Sequence, residues 1–278
     1  MCSRPIVRLS KVSGRSDMLD LSNPLEAIRR AAAPHGLNLV AALPAARYDD
    51  AVAVALRTAA IPADAVPFAV RSIVLIGNGG GEFWHAFTDH ADRHPGWRER
   101  ANPLDDFSRE IIAHEVAPAA QAAGARCAAI YPFINGGVTL NFIELAKIAG
   151  LGGPSLLGVV VHPRFGPWIA FRAALIVDCE LDAPGPAIGF DPCPGCVTQS
   201  CLAACPAGAV AYPAGWDIPR CLTHRVEQES DCAPRCHARA GCVLGPEHRY
   251  PDDELAYHQR RALAAMRPWY AAHLRPPR

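Results

Sequence analysis

A chain of 278 residues, half of them hydrophobic, is long enough for one large domain carrying a smaller one, or for two modest domains, and its composition excludes intrinsic disorder. Lys+Arg and Asp+Glu balance at 27 each, so no global charge steers the chain toward nucleic acid or an anionic membrane surface. The start Met1-Cys2-Ser3-Arg4-Pro5 lacks the apolar core of a signal peptide, and no apolar run is long enough to span a bilayer, so the expected location is the cytoplasm.

In chain order, Asn23-Pro24-Leu25-Glu26 joins a cap candidate to a first-turn proline and predicts a helix to about Pro34, ended by Gly36. Leu37 to Val40 reads as a strand, and Tyr48 to Ala60 as a helix closed by Ile61-Pro62. A second strand, Ser72 to Ile76, runs into Gly77-Asn78-Gly79-Gly80-Gly81. Glycines between strand and helix let a backbone approach a phosphate or a flat cofactor, but the full dinucleotide pattern of spaced glycines and a distant acid is absent. Leu104 to Ala123 predicts an amphipathic helix with Leu104, Phe107, Ile111, Ile112 and Val116 on its apolar face. Ala125 to Tyr131 reads as a strand. Leu140 to Ala149, apolar apart from the stripe Asn141, Glu144 and Lys147, predicts a mostly buried central helix.

Gly150-Leu151-Gly152-Gly153-Pro154 breaks that helix. Leu156 to Val161 and Ile169 to Val177 then predict an antiparallel hairpin. Its rigid turn, His162 to Trp168, displays a histidine, an arginine and two aromatics. A linker rich in proline and glycine ends at Gly189. The tail from Asp252 to Tyr270 is helical by composition, with Arg267-Pro268 expected to end it.

Between Asp191 and Cys242 lie eight of the eleven cysteines, which in a cytoplasmic protein read as metal ligands rather than a disulfide framework. Cys193, Cys196 and Cys201 fall within nine residues, and Cys205 precedes Pro206. That resembles the cluster-binding run in which three cysteines hold one iron-sulfur cluster and the fourth serves another, whereas zinc sites more often pair two close ligands with two distant ones. Two spacings depart from the run: four residues separate Cys196 from Cys201, and the trio Cys232, Cys236 and Cys242 is loose and lacks a following proline. Eight thiolates allow two 4Fe-4S clusters, with Cys193, Cys196, Cys201 and Cys242 on one and Cys205, Cys221, Cys232 and Cys236 on the other. A single cluster with the late cysteines free is the alternative.

Two family resemblances meet at the His162 turn. The stretch from Gly158 to Ile176, with Gly245-Pro246-Glu247-His248-Arg249-Tyr250, Ala256-Tyr257 and Pro103-Leu104-Asp105, resembles the cobalamin-processing CblC family. Ala149 to Gly152, the same turn, and the cysteine segment through Thr223 resemble epoxyqueuosine reductases, which with reductive dehalogenases are relatives of CblC. The resemblance implies an α+β fold, a nitroreductase-like α/β/α sandwich over residues 1–185 that binds a corrinoid. A ferredoxin-like two-cluster iron-sulfur domain would follow over 186–246, and a C-terminal helix over 247–278 would pack back on the first domain. It implies a corrin pocket formed by Tyr131, Gly152, Gly153, His162, Pro163, Arg164, Phe165, Gly166 and Trp168, with His162 either ligating cobalt or capping backbone groups. The proton-donating aspartate proposed for epoxyqueuosine reductases falls at about Gly136, which cannot donate a proton. Their helical repeats for transfer RNA have no counterpart before Arg278, so a transfer RNA reductase is disfavoured.

The resulting expectation is an oxidoreductase that binds cobalamin and reductively removes its upper axial ligand. Its electrons would come from a donor such as a ferredoxin or flavodoxin reductase, and neither nucleic acid nor membrane is an expected partner. No acid-base pair stands out, so no catalytic residue is assigned and the chemistry falls to the cofactor. The alternatives are a cobalamin-dependent reductase of another small molecule, a non-catalytic corrinoid carrier, and a flavin-binding nitroreductase-like enzyme.

Overall fold

The computed structural model describes residues 23–133, 140–228 and 232–274, so the Gly136 position lies outside the described residues. Its centre is a four-stranded sheet in the order β1 (Leu39–Pro44), β2 (Ser72–Gly79), β4 (Ile169–Val177), β3 (Cys127–Ile130), antiparallel at every pairing. Alternation along the strands divides the core. Val74, Ile76, Ala173 and Leu175 pack on α1 (Pro24–Ala32), α3 (Glu82–Arg93) and α4 (Pro103–Ile111), whereas Ile73, Leu75, Ala174 and Ile176 pack on α2 (Ala45–Ala51) and α6 (Phe142–Ile148). Helices therefore cover both faces in three layers.

Local chemistry accounts for the boundaries. The Asn23 side chain accepts from the backbone N–H of Leu25 and of Glu26 at 2.9 and 3.4 Å, and Pro24 opens α1. From α4 the chain continues through a π-helical turn, Ile112–Val116, into α5 (Ala117–Ala122), so the long amphipathic helix runs with one wide turn in its middle.

Four expectations are corrected. The helix over Tyr48 to Ala60 stops at Ala51, because the Asp49 carboxylate accepts from the Thr58 N–H and hydroxyl at 2.7 and 2.6 Å and pulls the following residues into two 3-10 turns. Helix α6 is not mostly buried: Leu145 and Ala146 face the sheet, but Ile143 is 57% exposed. There is no hairpin between Leu156 to Val161 and Ile169 to Val177. Strand β4 takes a central place between β2 and β3, while the preceding segment makes only the single bridge Gly153 to Val161. A strand apolar on both faces belongs inside a sheet, which its partner in a surface hairpin could not provide.

The fourth correction concerns Pro268. Helix α10 runs Asp252–His273 with that proline inside it. Tyr270 beyond it is buried with Leu222 and Leu263, and its hydroxyl donates to Glu227, so tertiary packing carries the helix past the missing N–H. The first turns of α10 lie instead against the sandwich, where the Trp84 indole donates to Asp253 at 2.9 Å and the Trp84 and Tyr257 rings meet at 5.1 Å.

Candidate functional site: two cysteine cavities and a cleft

Among the described residues the cysteine-rich segment forms little regular structure, namely α7 (Ser200–Ala203), the hairpin β5 (Val210–Ala211) with β6 (Gly215–Trp216), α8 (Ile218–Glu227) and α9 (His237–Ala240). Helix α7 is the divider, because Cys201 lies on it and Cys205 just past its end. Gly241 packs against it, and a Cβ there would stand 2.9 Å from Ala204 and 3.0 Å from the Ser200 carbonyl. That close approach brings Cys242 beside Cys201.

Two cavities result. One, of about 180 Å³, is lined by Cys193, Cys196, Cys201 and Cys242 within an apolar wall that includes Leu156, Leu157, Val161 and Leu244. The other, of about 250 Å³, is lined by Cys205, Cys221, Cys232 and Cys236. Leu157 is the one lining residue they share. Burial pushes the thiols of Cys201, Cys221 and Cys242 up, and the neighbouring cysteines of the same cavity add to this. Backbone N–H groups of Ala209 and Arg239 point at the sulfurs of Cys205 and Cys236 at 3.3 and 3.4 Å. Among the described residues no three His, Cys, Asp or Glu side chains converge closely enough to hold a single metal ion. Each set of thiols instead surrounds a space several times the roughly 30 Å³ of one water molecule. Cys127 and Cys179 lie apart, on the sandwich, with free thiols.

The 162–166 loop stands beside the first cavity. Reciprocal backbone hydrogen bonds between His162 and Gly166, at 2.9 and 2.8 Å, close it. His162 is 4% exposed, and its Nδ1 accepts from the N–H groups of Arg164 and Phe165 at 3.1 and 3.3 Å. Burial pulls its pKa down to about 4, with Arg164 and His248 adding to the effect, so at neutral pH it is an uncharged cap on its own turn. Gly166 has φ +56°, and a Cβ there would lie 2.0 Å from the Leu244 carbonyl oxygen, so this turn and the chain just after Cys242 touch backbone to backbone.

On its other side the loop borders an open cleft of about 510 Å³ lined by Gly79, Gly80, Gly81, Arg164, Phe165 and His248, among others. The Phe165 ring lies on Gly79, where a Cβ would stand 2.4 Å away, and meets the His248 ring at 4.6 Å. Gly77 likewise admits the Ala170 carbonyl, next to a bulge in β4 where Arg172 has no partner on β2. The glycine run thus serves close packing of the loop on the strand as well as the floor of the cleft.

Of the corrin-pocket residues expected from sequence, Arg164 and Phe165 line this cleft, Pro163 is exposed beside them, and His162 and Gly166 hold the loop's shape. Trp168 is fully buried, packed on Tyr250 and Leu255 with the Arg239 guanidinium 4.8 Å from its ring. Gly152 and Gly153 pack on Val161 and Phe190, where a Cβ on Gly153 would stand 1.7 Å from the Phe190 carbonyl oxygen. Tyr131 is half-buried after β3, against Phe133, and burial pushes its phenol up. Trp168, Gly152, Gly153 and Tyr131 do not line the cleft. Sequence reasoning missed His248 and Arg249 as cleft residues and Arg239 as a tie, whereas the glycine run it read as backbone open to a phosphate or flat cofactor does line the cleft at Gly79 to Gly81. Through Nε and Nη2, Arg239 donates to the Pro167 carbonyl at 3.1 and 2.5 Å, fastening α9 to the loop. The Gly245 to Tyr250 motif was the available signal for the first two.

Solved structures share this fold. A C. elegans B12-trafficking protein CblC, described as a human MMACHC homologue, aligns over 91% of this chain and 99% of its own at a TM-score of 0.54 and 14% identity. The catabolic reductive dehalogenase NpRdhA, in complex with 3-bromo-4-hydroxybenzoic acid, aligns over 91% of this chain at a TM-score of 0.52 and 18% identity. This chain spans 37% of that dehalogenase. A selenomethionine-labelled epoxyqueuosine reductase aligns over 83% of this chain and 69% of its own at a TM-score of 0.44 and 17% identity. No family model and no curated protein matches the chain. At these identities the likeness is one of fold. Among the described residues no helix is long and apolar enough to cross a membrane.

Proposed function

We propose that this chain is a corrinoid-handling iron-sulfur oxidoreductase that reductively removes the upper axial group of cobalamin, such as cyanide or an alkyl group. The observation that carries the reading is the double contact of the 162–166 loop. One side touches the backbone at Leu244, two residues after a thiol of the first cavity, and the other side forms the wall of the cleft. Electrons delivered to the cysteine cavities would have one short packed path to a ligand in the cleft. The likeness of fold to a B12-trafficking protein and to a dehalogenase discussed in terms of B12-dependent dehalogenation supports the choice of ligand.

The residues fit both groups. Four thiols around each cavity, with N–H donors aimed at Cys205 and Cys236, suit a 4Fe-4S cluster in each, because hydrogen bonds to sulfur and burial tune a cluster's potential. The cleft has a flat aromatic wall in Phe165, a glycine floor, and Arg164, His248 and Arg249 at its rim to bind amides or a phosphate. A bound corrinoid would supply a metal whose axial bond weakens on reduction, since the added electron enters an orbital antibonding along that axis. The chain's own contribution is to hold the loop rigid through His162 and Gly166, to place Phe165 where it excludes water, and to keep the thiols within the apolar wall. We place the protein in the cytoplasm, with a low-potential one-electron protein as its donor.

The test is anaerobic purification with iron and sulfide analysis, followed by cyano- or methylcobalamin with a reductant and observation of the visible spectrum. Bound iron with conversion of the cobalamin spectrum is the expected result. No iron and no spectral change would overturn the reading, binding without loss of the axial group would favour a carrier, and a yellow protein without iron would favour a flavin enzyme.

A further inference from the structure

Between the sandwich, the cysteine-rich segment and α10 lies a buried group of charged side chains. Arg172 on β4 and Glu254 on α10 are 5% and 1% exposed. Arg172 Nε donates to Asn78 at 2.8 Å while its Nη2 has no hydrogen-bond partner. Neither oxygen of Glu254 accepts a hydrogen bond, and His258 Nε2, one turn further along, stands 3.7 Å from Glu254 Oε1. Native interiors rarely leave such groups unmatched, and those that are left so call for a reason. Glu254 is faced by Arg172 from β4, Arg239 from α9, Tyr250 from the segment before the helix, and Asp253 and His258 from its own helix. His258 is faced in addition by Arg261.

Burial pushes Glu254 up to about 8 against the pull of both arginines, and takes His258 down to about 3. At neutral pH the pair is a carboxylic acid beside an uncharged imidazole. Desolvation keeps the proton on, and the arginines stabilise the carboxylate once it has gone. An acid between two fixed cations is therefore able to hold a proton and also to release it.

The pair has two ends. Glu254 Oε2 lies 3.7 Å from where a Cβ on Gly81 would stand, and Gly81 and Pro251, the side chain nearest that position at 3.4 Å, both line the cleft, so the carboxyl sits directly behind the cleft wall. The His258 side chain is 26% exposed and reaches solvent.

We propose that Glu254 and His258 form a proton conduit from solvent to the cleft. Its use rests on the reductive reading above, in which an axial group such as cyanide departs as an anion that needs a proton. The O–H bond of Glu254 breaks and a new bond forms between that proton and the anion, leaving a carboxylate between Arg172 and Arg239. His258 then gives its Nε2 proton to the carboxylate while Nδ1 takes one from water, which departs to solvent as hydroxide, and exchange with solvent restores the tautomer. No oxidant or reductant is consumed.

Infrared spectroscopy of the purified holoprotein, without corrinoid, tests the conduit directly. At pH 7 the wild type should show a protonated-carboxyl band that Glu254→Gln lacks and that disappears as the pH passes about 8. On transfer to D₂O that band should shift more slowly, by at least about tenfold, in His258→Phe and in the milder His258→Gln. Absence of a band sensitive to Glu254→Gln, or equally fast exchange in both His258 variants, would overturn the proposal. With cyanocobalamin and reductant, Glu254→Gln should bind as the wild type does but lose cyanide about a hundredfold more slowly, without the wild type's decline above pH 8. An unchanged rate and pH profile would overturn the cleft end of the conduit. If the wild type binds no cobalamin, the corrinoid reading fails while the infrared result still decides the conduit.

Discussion

The partition of the thiols makes a prediction that spacing alone would not. Cys242 and Cys236 are six residues apart, yet they line different cavities, and Cys242 shares its cavity with Cys193, Cys196 and Cys201. Replacing Cys242 by Ser should empty the first cavity, and replacing Cys236 by Ser should empty the second. One lining residue, Leu157, is common to both, so each loss should leave the other site intact. With a four-iron cluster in each cavity, iron should fall from about 8 to about 4 per chain in either variant. Cys205→Ser should remove the same electron paramagnetic resonance signal as Cys236→Ser, and Cys201→Ser the same signal as Cys242→Ser. Anaerobic iron and sulfide analysis with spectra of the dithionite-reduced proteins reads both quantities. Loss of one common signal from Cys242→Ser and Cys205→Ser would refute the partition, as would a wild type holding about 4 irons.

Other substitutions probe the frame around these sites. Gly153→Ala would drive a methyl into the Phe190 carbonyl oxygen, 1.7 Å from its ideal position, and should destabilise the fold by about 3 kcal/mol, measured by denaturant titration. Arg239→Met removes two charge-assisted hydrogen bonds to Pro167 and the stacking on Trp168, and should cost about 2–3 kcal/mol, with cobalamin conversion slowed and iron content unchanged. Glu254, raised to about 8 when folded from 4.5, contributes stability that is fully present below pH 4.5 and is lost as the pH rises through about 8. His258, lowered to about 3 from 6.5, contributes stability present above pH 6.5 and lost as the pH falls toward 3. Glu254→Gln should therefore flatten the fall in melting temperature between about pH 4.5 and 8 and leave the acid limb in place.

Much of the frame is written locally. Asn23 and Pro24 mark the start of α1, the glycines mark the end of β2, and the apolar stripe from Leu104 to Val116 marks the helix that covers one face of the sheet. The grouping of thiols into cavities is legible in part from the four-residue step between Cys201 and Cys205, which turns the chain across α7. What escapes a local reading is set by distant partners. Strand β4 finds its place only when β2 and β3 are present on either side. Asp49 breaks its helix through Thr58, and Pro268 stays within α10 because Tyr270 is held by the α8 region. Nothing local in the sequence marks Arg172, Glu254 and His258, and only the packing of α10 over the sheet shows that the first two lie inside.

Gly241, described above as the point of close approach to α7, has a topological consequence. The chain leaves the first cavity at Cys201 and returns to it at Cys242, and the return passes within van der Waals contact of Ser200 and Cys201. All four cysteines of the second cavity lie on the excursion between those two points. The second site is thus a loop insertion whose ends already meet, the arrangement in which whole units are most readily gained or lost. A chain with that excursion replaced by a short turn would keep the first site and its contact with the 162–166 loop, a one-site form of the protein that its two-site form contains intact.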